Sequence, residues 1–137
     1  MSWDASLYCN ACGHCIGDWN FTHNTSVMIY SVLAEASYEL PASTLECWGL
    51  PRDADGKLTH YPDGHGTVAW WEHLDGMTGP EGAAYLDLIV TRLEANPVRF
   101  RAMNPENGWG SYDTLLKTLR EMRAAVPEAP CEWRASG

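Results

Sequence analysis

The chain has 137 residues, with 45% hydrophobic and 20% charged positions and a formal charge of −9. That length suits one domain spanning 1–137, large enough to bury a core without staples, and the composition is that of a soluble globular protein. Nine Lys and Arg against 18 Asp and Glu argue against a grip on long DNA or RNA, which needs a basic face, and no apolar run approaches the roughly 20 residues of a membrane helix. The first residues lack the basic and apolar regions of a secretory signal, so a cytoplasmic protein is expected.

Trp3–Tyr8 and Gly17–Phe21 read as two strands of a hairpin with a cysteine-bearing tip at 9–15. Cys9-x2-Cys12 has the bite that lets two thiolates reach one tetrahedral metal, and Cys15 stands three residues on. A structural zinc on Cys9, Cys12, Cys15 and Cys131 is one expectation, with Cys47, His14 or His23 as other fourth ligands. Free thiols, an iron–sulfur cluster or a redox role are the others, and the odd count of five cysteines argues against a disulfide framework.

Asn20 and Thr22 alternate with Phe21 at the end of the second strand and so share one face. Ile29, Leu33 and Ala36 lie at helical spacing just beyond, with Asn24 or Thr25 as N-cap. His23 falls between strand and helix, where it suits hydrogen bonding to a ligand or general-base work.

From Glu39 to Met77 the sequence becomes a long turn-rich excursion, of the length used for lids and binding loops, with a short helix expected over Thr67–Leu74. His60, His65 and His73 match no metal spacing. Thr78-Gly79-Pro80-Glu81 is a capping box that opens a helix carrying Leu86, Ile89, Val90 and Leu93 and ending near Ala95. Asn96 then caps a short helix over Pro97–Met103, whose Arg99 and Arg101 are usable partners for a phosphate or carboxylate.

Pro105–Asp113 is the most unusual passage, because Trp109 stands between Gly108 and Gly110 at a helix N-terminus, where free N–H groups gather. Ser111 reads as the N-cap of that helix, and Leu115, Leu119, Met122 and Val126 form its apolar stripe. Cys131–Arg134 is expected as a final strand pairing with the N-terminal hairpin. The whole reads as an α+β fold, a small antiparallel sheet (N-terminal hairpin plus C-terminal strand) covered by three or four helices.

Asn20-x-Thr22-His23-Asn24, followed by Met28, together with Asn104-Pro105-x-Asn107-Gly108-Trp109-Gly110-x-Tyr112, resembles a group of small, functionally uncharacterised phage and prophage proteins. The resemblance covers a small part of the chain and implies a phage setting, in which small proteins often antagonise host defence.

The residues themselves point to one pocket. Asn20, Thr22, His23, Asn24 and Asn107 supply hydrogen bonds, Trp109 and Tyr112 a stacking wall, and Arg99 and Arg101 nearby charge, all suited to a nucleotide. The expected function is sequestration of a nucleotide immune signal, a cyclic dinucleotide or an adenosine diphosphate ribose derivative, by a protein that forms homo-oligomers. A hydrolase is the alternative, with His23 as base, Asp18 or Asp113 orienting it, and Thr22, Ser111 or water as nucleophile. A third reading is an acidic inhibitor that binds a host protein through its Trp-rich excursion.

Overall fold

The structure, a computed structural model, describes residues 2–39, 54 and 70–137. Strands β1 (Ser2–Cys9), β2 (Cys15–Thr22) and β3 (Cys131–Ser136) form an antiparallel sheet in the order β2-β1-β3. A 3-10 turn (His23–Thr25) leads into α1 (Ser26–Glu39), and α2 (Trp70–Leu74), α3 (Gly79–Ala95), α4 (Pro97–Arg101) and α5 (Tyr112–Ala124) follow. The α+β architecture anticipated from the sequence is therefore present, with five α-helices among the described residues, two of them a single short turn or so in length. None of them is long and apolar enough to cross a membrane.

Strand alternation sets the inner face of the sheet. Trp3, Ala5, Leu7, Phe21, Cys131 and Trp133 point into the core, while Asp4, Asn20 and Arg134 remain outside. Trp3 is wholly buried at the centre of an aromatic cluster, stacked on Phe21 at 4.0 Å and meeting the edge of Trp70 at 4.3 Å. Trp71 lies parallel to Trp3 with ring centroids 6.1 Å apart. These offset and edge geometries suit the charge distribution of aromatic rings and add to the burial of their area. The polar ends of the buried rings are satisfied as well. Trp70 Nε1 donates to Ser26 Oγ, Tyr85 Oη donates to the Trp70 carbonyl, and Trp133 Nε1 donates to the Gly79 carbonyl.

The capping box at α3 forms as its sequence indicates. Thr78 Oγ1 accepts the Glu81 N–H and the Glu81 carboxylate accepts the Thr78 N–H. The buried stripe Tyr85, Leu86, Ile89, Val90 and Leu93 packs against Leu115, Leu116, Leu119 and Met122 of α5. At the rim of this helix pair Arg123 meets Asp87 at 2.7 Å and Arg120 meets Glu94 at 3.3 Å, exposed pairs that fix alignment more than stability.

Local details differ from the expectation. A 3-10 turn inserts between β2 and α1 and has its own N-cap, Thr22, whose side chain accepts the Asn24 N–H. α4 stops at Arg101, and Asn96, at φ −144° and ψ 67°, makes no side-chain cap bond. Of the excursion, α2 is described from Trp70 onward, whereas Cys47, His60, His65 and the rest of residues 40–69 except Ala54 lie outside the described residues.

One of the tightest helix-to-sheet contacts is at Gly82, where an added Cβ would lie 2.2 Å from both Cδ1 and Nε1 of the Trp133 ring. The ring is held by its hydrogen bond to the Gly79 carbonyl and cannot retreat. Gly82→Ala is therefore expected to destabilise the fold by about 1–3 kcal/mol, despite alanine's better helix propensity, as measured by urea unfolding. An equal or higher midpoint would show that α3 can slide off the sheet.

Candidate functional site

A cleft of about 560 Å³ is lined by Ser2, Asn20, Thr22, Asn24, Asn107 and Trp109. It joins the two segments singled out in the sequence. Phe21 is buried against Trp3, so the residues on either side, Asn20 and Thr22, turn outward into the cleft. The opposite wall is the loop before α5, brought in by Gly110: a Cβ there would lie 2.6 Å from Thr22 Cγ2 and 2.9 Å from Thr25 Cγ2. Gly110 has φ +90° and Gly108 φ +73°, left-handed conformations that glycine adopts without strain.

Each carboxamide of the cleft is half committed to the protein. Asn20 Nδ2 donates to Asp4 Oδ1 at 2.6 Å and lies within 3.3 Å of Ser2 Oγ and 3.4 Å of the Trp3 carbonyl. Asn24 Nδ2 donates to the Trp109 carbonyl at 3.4 Å, tying the two walls together. Asn107 is oriented the other way, its Oδ1 accepting the Trp109 N–H at 2.9 Å in an Asx-type turn. The ends left for a ligand are thus the Oδ1 acceptors of Asn20 and Asn24 and the Nδ2 donor of Asn107. Thr22 Oγ1 accepts the Asn24 N–H, which leaves its hydroxyl proton available. Trp109 is 72% exposed, an unusual position for so large an apolar surface.

The other sequence candidates sit elsewhere. His23 does not line the cleft; its ring packs 4.8 Å from Trp71, and its Nε2 is buried with no hydrogen-bond partner among the described residues. The 3-10 turn rotates it inward, away from the face shared by Asn20 and Thr22. Tyr112 is buried, donating from Oη to the Leu93 carbonyl at 2.8 Å and stacking on Phe100, so it is a core residue rather than a stacking wall. Arg99 pairs with Glu35 and lies over the Phe100 ring; Arg101 pairs with Asp113 at 2.9 Å and lies over Tyr112. No Lys, Arg or His is among the described residues lining the cleft.

The N-terminus of α5 is similarly occupied by its own chain. Asn104 Oδ1 accepts the Tyr112 N–H at 2.7 Å, and the Ser111 N-cap accepts the Thr114 N–H at 3.2 Å. The anion-binding capacity expected there is largely satisfied internally. Asn104 is the site-building residue that sequence reading left without a role. Its position eight residues ahead of Tyr112, across two glycines, gave no local signal.

The hydrolase constellation is not assembled among these groups. Asp113 is bound to Arg101, and Ser111 is engaged as a cap against Thr114. Asp18 stands opposite Ser6 in the sheet.

The four candidate metal ligands are not gathered into one cluster. Cys131 is buried with its Sγ against Gly79, where an added Cβ would lie 2.2 Å away, and burial pushes its thiol up. The Cys15 thiol is directed to the Gly17 carbonyl, 3.4 Å away. Cys9 and Cys12 do interact: the Cys12 N–H and thiol, with the Ala11 N–H, are directed at the Cys9 sulfur and lower its pKa. Among the described residues no three His, Cys, Asp or Glu side chains form a metal-holding group. His73 is buried in α2 beside Tyr85.

Comparison with family models, with curated proteins and with solved structures finds no match to this chain.

The Arg101–Asp113 pair gives a pH signature at the base of the Trp109 loop. Hydrogen bonding to Arg101 holds the Asp113 carboxyl below its ordinary 3.8. A carboxylate whose folded value is depressed adds stability above its unfolded value, and that contribution is lost as pH falls through the folded value. Arg101→Gln is therefore expected to lower Tm slightly near pH 6, and the difference from the parent protein should shrink steadily between about pH 4 and about pH 2. A difference independent of pH would mean that Arg101 acts through its packing on Tyr112 instead.

Proposed function

We propose that this protein binds the nucleoside part of a small nucleotide in the cleft and retains it without converting it. The observation that carries this reading is the convergence of Asn20, Thr22, Asn24 and Asn107 on one cleft beside the exposed indole of Trp109. Carboxamide oxygens accept from the exocyclic amino group of a base, and the Asn107 amide donates to a ring nitrogen or carbonyl. Trp109 offers a face for stacking, a contribution of about 1–3 kcal/mol per base. The cleft volume of about 560 Å³ lies within the range of about 300–1,000 Å³ typical of small-molecule sites.

Charge divides the ligand. With no cation among the described lining residues and Asp4 fixed 2.6 Å behind Asn20, the base and ribose occupy the cleft and the phosphates face solvent. In the phage setting implied by the two signatures, the role is sequestration of a nucleotide immune signal in the bacterial cytoplasm, a cyclic dinucleotide or a derivative of adenosine diphosphate ribose. A second copy of the chain closing the open mouth of the cleft belongs to the same reading. Retention is favoured over turnover by His23, which packs on Trp71 and is not among the described residues that line the cleft.

The test is a thermal-shift screen against cyclic di- and trinucleotides, adenosine diphosphate ribose isomers, NAD and the parent nucleosides, with chromatography of whatever is released on heating. At least one nucleotide is expected to raise Tm and to be recovered intact; its affinity should change little with salt, because its phosphates meet no cation. Trp109→Ala should alter stability by no more than about 0.5 kcal/mol, since the ring is exposed, and Asn20→Ala or Trp109→Ala should weaken binding about tenfold or more. A chemically altered product would replace binding with catalysis. Absence of any shift, or binding that survives both substitutions, would overturn the proposal.

A further inference from the structure

Each carboxamide that lines the cleft beside Trp109 is held by a partner able to play only one part in a hydrogen bond, and its orientation follows from that. Asn20 stands opposite Asp4 in the β1–β2 register, and its amide reaches the Asp4 carboxylate at 2.6 Å and the Trp3 carbonyl at 3.4 Å. Both partners only accept, so Asn20 Nδ2 must face them and Oδ1 is left over. Asn24 meets the Trp109 carbonyl, again an acceptor, which takes its Nδ2 and leaves its Oδ1. Asn107 meets the Trp109 N–H, a donor, which takes its Oδ1 and leaves its Nδ2.

In the order in which the chain presents them, the uncommitted ends are acceptor, acceptor and donor. Asn20 and Asn24 flank Thr22 on one wall, and Asn24 and Asn107 are joined through the two peptide groups of Trp109. The complementary base edge carries two donors followed by an acceptor. Among the common bases guanine alone has that edge, with its exocyclic amino group, ring N–H and carbonyl side by side. Adenine and cytosine would each set a ring-nitrogen lone pair against a carboxamide oxygen, and uracil would set a carbonyl there. A lone pair facing a lone pair is a repulsive element of the kind that gives a polar site its selectivity.

We infer that the cleft selects guanine: the Asn20 and Asn24 oxygens accept from the exocyclic amino group and the ring N–H, and the Asn107 amide donates to the carbonyl. Asp4 is the positioning residue, because its carboxylate keeps the Asn20 oxygen turned away from the sheet and toward the ligand. The selectivity rests on the cleft being a nucleoside site, and it narrows the ligand to guanine-bearing nucleotides. Trp109 adds affinity without choice, since every base offers a face for stacking. Discrimination therefore lies with the three carboxamides and with the groups that orient them.

The experiment titrates the full chain with guanosine, inosine and adenosine monophosphates, which carry the same charge and differ only at the base, and follows binding by NMR. Guanosine monophosphate is expected to bind about tenfold more tightly than inosine monophosphate, which lacks the exocyclic amino group, and at least about thirtyfold more tightly than adenosine monophosphate. Asn107→Asp keeps an oxygen for the Trp109 N–H but turns the free donor into an acceptor, so the guanine-to-adenine ratio should fall at least about tenfold. Asp4→Ala should lower the same ratio about threefold or more, as Asn20 loses its shortest anchor. A general loss of structure would weaken all three ligands alike and leave the ratio where it was. Equal affinity for the three, a preference for adenine, or a ratio unchanged in either variant overturns the selectivity; if binding is then still lost in Trp109→Ala, the nucleoside site itself stands. Absence of binding by all three overturns both.

Discussion

The stacking of Phe21 on Trp3 is the contact on which the arrangement of the molecule turns. Strand geometry allows a side chain only two directions, so burying Phe21 against the aromatic cluster also decides where its neighbours go. With the ring inward, Asn20 and Thr22 must project outward, and the carboxamide and hydroxyl become available on the polar face. A register slip of one residue would bury Asn20 and Thr22 and expel Phe21, leaving polar groups without partners in the core. The hydrophobic cluster therefore specifies the cleft without any of its members lining it.

The second wall depends on a different constraint, the close approach of backbone at Gly110 to Thr22 and Thr25. Two methyl groups occupy the space a Cβ would need. Once the loop is seated, Asn24 and Asn107 hold the main chain of Trp109 by its carbonyl and N–H, so the indole is fixed at its root while its ring stays in solvent. Half of each carboxamide serves construction and the other half remains for recognition. Such pre-organisation reduces the ordering a ligand would otherwise have to impose.

Local patterns were the legible part. The hairpin, the terminal strand, the Thr78–Glu81 capping box and the Ser111 cap are written in adjacent residues, and each is present. So is the shared outward face of Asn20 and Thr22, since alternation needs no knowledge of the rest of the chain. The unread parts depend on distant partners. Arg99 and Arg101 looked available until Glu35 and Asp113 met them, and Tyr112 looked like a wall until its hydroxyl found the Leu93 carbonyl. His23 was placed in the pocket by its neighbours in sequence; a single 3-10 turn was enough to rotate it toward Trp71. The thiols of the tip were grouped by spacing, whereas folding placed Cys131 in the core and directed Cys15 to its own strand.

The wedge of Cys131 against Gly79 has a kinetic meaning. Its sulfur fills the notch where α3 begins, directly beneath the capping box, and the thiol is almost wholly shielded from solvent. An alkylating reagent can reach it only after the first turn of α3 lifts from β3, and the adduct, larger than the notch, prevents that turn from closing again. The residue is thus a built-in latch detector: its rate of alkylation counts openings of the helix-to-sheet junction, separating breathing of this one seam from unfolding of the domain.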